Sequence, residues 1–319
     1  MDTLLPPPCY LMLHIGVGPS QAETEAGATL VVTDSDKRFG LREDLWIERL
    51  DKELATNIQK ACEPPHFNIG SVEQDRHLYA LVRQAPLADA SPHESMGDLF
   101  AAAALSRLVN PTSIGDRYCA KIFHFGLRDS AIQALQFRGI SPDVIISRNH
   151  RDWLSVEDAE KLRALVPWLA KEKHMHRRVH RAYWNHEYAM RSYYLDARWT
   201  LVVSGLEALL SVGKGNLRWQ FRDRVRQLAT EFGVSLTDDE LDGAYQLRSK
   251  LVHAEGFLFS FSNILPASQH NELYEKMELL LRQVIYRCLV DESFGNFFRD
   301  DAAVEGRWPL NPKPKERNE

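Results

Sequence analysis

Residues 237–256 read TDDELDGAYQLRSKLVHAEG. Thr237 stands three residues before Glu240, the spacing at which an N-cap hydroxyl and an N3 carboxylate each take up an orphan backbone N–H. A helix is therefore predicted to open at Thr237 and end near Gly256. At 100° per residue, with Leu241 at zero, Ala244, Tyr245, Leu251 and Val252 fall within about 80° and form the predicted core stripe. Arg248 lies at about −20°, inside that stripe. A guanidinium on an apolar face needs a partner or water, because it cannot shed its charge. Two resolutions follow: a buried carboxylate, for which Glu207 is the candidate, or a cleft, including one formed with a second subunit.

On either side of this helix the apolar spacing predicts four more. Ser155 opens one, with Asp158 three residues on and Leu162, Leu165, Val166 and Leu169 along it. A long helix is predicted over 177–210, with Leu195, Trp199, Val202, Val203, Leu206, Leu209 and Leu210 in a 3.6-residue stripe, ended by Gly213-Lys214-Gly215. Another carries Leu217, Phe221, Val225, Leu228 and Phe232 and stops at Gly233. The last carries Leu273, Met277, Leu280, Val284 and Cys288. Five amphipathic helices with short connections predict an antiparallel bundle over 151–306, followed by a disordered tail, 307–319, ending PKPKERNE.

Residues 1–150 read as a mixed α/β domain. Short apolar or β-branched runs at 10–17, 29–33, 77–83 and 118–125 predict strands. Residues 41–62 have helical spacing in Leu45, Leu50, Leu54 and Ile58 and are closed by Pro64-Pro65, and 96–109 predict a second helix. Dense turn signals over 139–153 mark the boundary between the halves, so the chain is expected to be α+β overall.

The 319 residues are 44% hydrophobic and 26% charged, a globular composition. A net charge of −5 argues against coating nucleic acid through total charge and turns attention to local basic patches. Cys9, Cys62, Cys119 and Cys288 form no CxxC pair and suit free thiols in a reducing compartment. The start of the chain lacks a basic region and Pro6–Pro8 interrupt its apolar run, which argues against a secretory signal. No window approaches eighteen apolar residues, so no membrane span and a cytoplasmic location are expected.

The run YQLRSKLVHAEG, preceded by SGLEALL and then by WQFRDRVRQLA, resembles the Apea-like branch of the HEPN superfamily over about residues 177–290. The resemblance implies a helical bundle that dimerises and brings two Arg-x4-His pairs, here Arg248 and His253, into one cleft. It implies a metal-independent endoribonuclease with no cofactor, in a toxin–antitoxin or antiphage setting with an antitoxin or regulatory partner. The alternative is a non-catalytic dimerisation module that binds a nucleotide or a protein. Ser249 follows the arginine where many members have Asn, Asp or His, and Ala254 stands where a Gly often follows the histidine.

The chemistry suits RNA, which carries its own 2′-hydroxyl nucleophile. His253 has the right reference pKa for proton transfer, and Arg248 has a permanently charged fork for phosphate, with Glu207 and Ser249 as auxiliaries. About 140° separates the pair on a regular helix, so a loosened helix end or a dimer is needed to unite them. In the structural reading, Arg248 pairs with Glu207 and His253 caps the helix C-terminus. The segment KEKHMHRRVHR offers Lys171, Lys173, Arg177, Arg178 and Arg181 to an RNA backbone, with Tyr183, Trp184 and Tyr188 available to stack on bases; a solvated basic face is the plainer account. His176 and His180 have metal-ligand spacing without a clear third ligand. Arg218, Arg222 and Arg226 form a ridge that meets either phosphate, with Arg222 as the RNA contact, or neighbouring carboxylates. In the N-terminal half HIGVG, 14–18, lacks a nucleotide-binding glycine pattern, and no local motif gives a Ser/His/Asp arrangement.

Overall fold

A computed structural model describes residues 8–63, 76–85, 92–123, 131–135, 151–169, 171, 174–213 and 215–312. Lys173, Pro64-Pro65, Lys214, most of the 139–153 boundary, the end of the 118–125 strand and residues 313–319 lie outside them. The chain divides into two compact units, Met1–Ala170 and Lys171–Glu319. The division falls after 170, so the helix at 156–165 belongs to the first unit and not to the bundle. Its buried Ala159, Leu162 and Leu165 explain this, because the helix packs on elements of the first unit.

The first unit contains β1 (Cys9–Val17), α1 (Gln21–Glu25), β2 (Arg38–Arg42), β3 (Leu45–Arg49), α2 (Lys52–Cys62), β4 (Arg76–Gln84), α3 (Pro92–Val109), β5 (Cys119–Phe123), β6 (Ala131–Ala134) and α4 (Val156–Leu165). The strands form one antiparallel sheet in the order β2-β3-β4-β1-β5-β6. Alternate residues Leu11 and Leu13, Ala80 and Val82, and Ala120 and Ile122 share a core with Ala55 and Ile58 of α2. The residues between them, Tyr10, Met12, Tyr79 and Leu81, are buried as well. With both faces covered, β1 and β4 read as continuous apolar runs instead of alternating ones.

Two expectations for this unit are corrected. Residues 41–62 do not form one helix: β2 and β3 make a hairpin, and the helix begins only after Asp51, whose side chain accepts from Leu54 N–H at 2.7 Å. Trp46 and Ile47 are better placed opposite Val82 and Leu81 of the sheet than on a helix. Residues 29–33 do not form a strand either. Leu30 makes a single bridge to Ser155, and Thr33 closes a turn, its N–H donating to Asp36 O at 2.8 Å and its hydroxyl oxygen accepting from Asp36 N–H at 3.0 Å.

Among its described residues the second unit has helices and no strand, and the chain as a whole is α+β. It contains α5 (Arg177–Arg191), α6 (Leu195–Leu210), α7 (Leu217–Glu231), α8 (Asp238–Val252), α9 (His270–Val290), α10 (Glu292–Gly295) and α11 (Asp301–Arg307). The predicted 177–210 helix is thus two helices. Ser192 and Tyr194 are extended (ψ 131° and 132°), and the Ser192 hydroxyl donates to Tyr188 O at 2.7 Å, closing the last turn of α5. The apolar period continues across the break, so the sequence pattern did not reveal it.

The α6 helix packs against α5, α7, α8 and α9. Gly205 makes this possible, since a Cβ there would sit 2.7 Å from Leu281 Cδ2 of α9. Beneath α5, His186 Nε2 and Arg282 Nε both meet Glu278 Oε1, at 2.8 and 3.0 Å. The disorder expected from 307 onward does not hold for residues 308–311. Trp308 is buried against Phe298, and the backbone and side-chain amides of Asn311 both donate to Asp223 at 2.9 Å. Among the described residues no helix is long and apolar enough to cross a membrane.

Candidate functional site

The second unit carries a cleft of about 730 Å³ between α5, α6 and α8, with the 299–302 turn as a further wall. Arg177, Arg178, Arg181, Arg248 and Arg299 line it, against Glu207, Asp300 and Asp301. Guanidiniums therefore outnumber carboxylates, and the cleft is positive in a chain that is negative overall.

Each arginine is held differently. Arg178 is committed to the fold: its Nη1 donates to the carbonyls of Ala208, Leu209 and Ser211 at the end of α6, and Nη2 pairs with Asp301. This cation at a helix C-terminus satisfies carbonyls that have no intrahelical partner. Arg177 and Arg181 are exposed, and among the described residues no carboxylate pairs with either. Arg299 pairs with its neighbour Asp300 at 2.9 Å.

Arg248 takes the carboxylate partner anticipated from the sequence and also faces the cleft. Its Nη2 lies 2.9 Å from Glu207 Oε2, and its Nε is 3.4 Å from Ser204 Oγ. The Tyr245 hydroxyl donates to Glu207 Oε1 at 3.3 Å. Burial, then the negative charge of Glu207, holds the Tyr245 phenol above its ordinary range. The α8 stripe itself needs correction. The buried residues are Leu241, Gly243, Ala244 and Leu247, while Val252 is 51% exposed. The core face is rotated toward Leu247, so Arg248 sits on its flank, where a charge can reach solvent while its stem is covered.

His253 is not in the cleft. It is the exposed C-cap of α8, its N–H bonded to Ser249 O at 3.1 Å, and Ser249 does not line the cleft either. The chain then reverses through Ala254 at φ 55°, with Ala254 N–H on Leu251 O and Glu255 N–H on Lys250 O. These two bonds make a Schellman motif whose left-handed position favours glycine. Ala254→Gly is accordingly expected to stabilise the unit by about 1 kcal/mol, read as a higher urea midpoint. A lowered midpoint would show that the Cβ is not strained.

The remaining predicted contacts separate from the cleft. Lys171 is exposed and does not line it. Arg218 and Arg222 both pair with Asp242, at 3.2 and 2.8 Å, and Arg226 pairs with Asp223 and Asp238, so the α7 ridge meets carboxylates. His176 Nε2 lies 3.1 Å from Asn296 Oδ1, and His180 Nε2 accepts from the Trp184 indole at 3.0 Å. Arg299 and the 300–301 carboxylates escaped sequence reasoning because they come from a short turn far along the chain.

No family model, curated protein or solved structure matches the chain.

The first unit assembles a second polar cluster that no local motif revealed. Ser113 Oγ donates to Asp152 Oδ2 and Ser113 N–H to Oδ1, both at 2.7 Å. His14 Nε2 lies 3.0 Å from Asp152 O and 3.3 Å from its Oδ1. The hydroxyl is committed to the carboxylate, with the imidazole 3.5 Å away, and His14 is buried against Tyr79. A nucleophile needs its base at closer range and an open approach. The cluster instead ties three distant segments together.

Proposed function

We propose that the second unit binds RNA and cleaves it by 2′-hydroxyl attack, as an HEPN-type homodimer. The observation that carries this reading is the positive cleft in which Arg248 shares one surface with the exposed Arg177 and Arg181. Guanidiniums that keep their charge and present a planar fork are suited to phosphate oxygens. In the proposed reaction the 2′-oxygen loses its proton to His253 and bonds to phosphorus. The bond from phosphorus to the 5′-oxygen breaks, the 5′-oxygen takes a proton from water and His253 releases its own to solvent, giving a 2′,3′-cyclic phosphate and a 5′-hydroxyl. Arg248 offsets the charge on the phosphorane.

The exposed position of His253 beyond the cleft makes a second chain part of the reading. Val252, Phe257 and Phe259 are exposed beside His253, with the two phenylalanine rings stacked at 5.6 Å. Apolar side chains clustered at a surface favour association. The defence setting and its antitoxin or regulatory partner follow from the family resemblance alone.

One observation favours a second reading, a non-catalytic binding module: Arg248 is held by Glu207 at 2.9 Å. Incubating the full chain with mixed single-stranded RNA in EDTA separates the two. Cleavage is expected to persist in EDTA and to fall by about 100-fold or more in both Arg248→Ala and His253→Ala. RNA that stays intact with the wild-type chain, or is cut by both variants as fast as by the wild type, would overturn catalysis and leave the binding module.

A further inference from the structure

We infer that the ligand of this cleft is an unpaired strand, which runs from the cleft along the exposed face of α5 and stacks its bases on Trp184 and Tyr188. The inference rests on the RNA-binding reading above and specifies its substrate class.

The stripe follows from helical spacing. With Arg177 at zero, Trp184 falls at about −20°, Tyr188 at about +20° and Arg181 at about +40°. Two cations in the cleft are therefore followed, on the same side of the same helix, by two aromatic rings. At 1.5 Å rise per residue the stripe is about 16 Å long, enough for several nucleotides. Arg177 and Arg181 are exposed, and Tyr188 is 54% exposed, although a tyrosine gains more by burying its ring than by leaving it in water.

The rings are also held in place. The Trp184 indole N–H donates to His180 Nε2 at 3.0 Å, which fixes the plane of the indole. Tyr188 packs beside it with ring centroids 5.5 Å apart and planes 31° apart. Past the end of α5, Tyr193 and Tyr194 are each 73% exposed.

A groove of cations leading onto aromatic faces suits single strands, because every base has a π-face to stack. In a duplex those faces are covered by neighbouring base pairs, so the rings find nothing to stack on. A protein partner would not require two cations followed by two flat rings along one line.

The test is a binding titration with a fluorescently labelled 12-nucleotide RNA and its blunt duplex in EDTA. The full chain carries His253→Ala to prevent cutting. The single strand is expected to bind at least about tenfold more tightly than the duplex. Tyr188→Ala is expected to weaken single-strand binding about tenfold with its salt slope unchanged, and Tyr188→Trp to retain it. Arg181→Ala is expected to flatten the slope of log K against log salt by about 0.7, one phosphate contact. Equal binding of strand and duplex, or unchanged binding in Tyr188→Ala, would overturn the inference while leaving RNA binding intact. A parent chain that binds neither RNA would overturn the RNA reading itself and this inference with it. Because Tyr188 is exposed, the alanine variant keeps the fold, and its helical circular dichroism should match the parent.

Discussion

Co-expressing Arg248→Ala and His253→Ala chains is expected to restore about a quarter of wild-type RNA cleavage, although each variant alone is inactive. The arithmetic follows from two-fold symmetry. If each site takes Arg248 from one chain and His253 from the other, a mixed dimer holds one intact site and one lacking both groups. Random assortment makes half of the dimers mixed, so about one site in four is complete. The geometry asks for this arrangement. Arg248 lines the cleft while His253 caps α8 outside it, and the helix stays regular up to Val252. The Schellman reversal at Ala254 then fixes the histidine's position. Complementation is measured with two affinity tags, isolating the mixed dimer by sequential capture. A mixed dimer that stays inactive would mean that the two groups do not meet across chains. Cleavage would then require a rearrangement of α8 within one chain, or would not occur at all.

How much of this was legible in the sequence depended on whether the signal was local. The capping boxes at Ser155 and Thr237 are set by residues three apart, and both are present as read. Glu207 was identifiable as the partner of Arg248 because a permanent charge near an apolar face restricts the choices to nearby carboxylates. Of the basic run at 171–181, only Arg177, Arg178 and Arg181 line the cleft, together with Arg248 and the unforeseen Arg299. The break at Ser192 was invisible because α5 and α6 carry the same apolar period. The hairpin at 38–49 was masked by leucines whose spacing also fits a helix. Ser113, His14 and Asp152 meet only through tertiary structure, so no window of sequence contains the cluster. Arg222 illustrates the opposite error: a basic ridge on α7 suggested phosphate, yet carboxylates on its own unit are already in contact with it.

Arg224 is where the largest stability effect is expected, and it also holds the segment at Trp308 in place. Its side chain is almost fully buried, an unusual site for a guanidinium. Nε donates to Trp308 O at 3.0 Å, and Nη1 donates to Leu210 O at 2.9 Å and Gln220 Oε1 at 2.8 Å. One side chain thus satisfies the end of α6 and the carbonyl that docks Trp308 onto α7. Gln220 extends the network, its amide nitrogen donating to Val212 O and Gly215 O in the loop between α6 and α7. Burial lowers the tendency of Arg224 to hold its proton, yet these acceptors and Glu305 keep a charge useful there. Arg224→Ala removes three donated bonds, leaves carbonyls without that partner and opens a cavity, so a loss of about 3–5 kcal/mol is expected. Arg224→Met keeps most of the volume and should recover the cavity part but not the hydrogen bonds. Urea unfolding followed by helical circular dichroism measures both. Limited proteolysis adds a local readout, because Arg224→Ala should expose the chain after Arg307 while the parent stays protected through Asn311. A loss below about 1 kcal/mol, with unchanged protection at Trp308, would mean that water replaces the guanidinium and that apolar packing alone holds the segment.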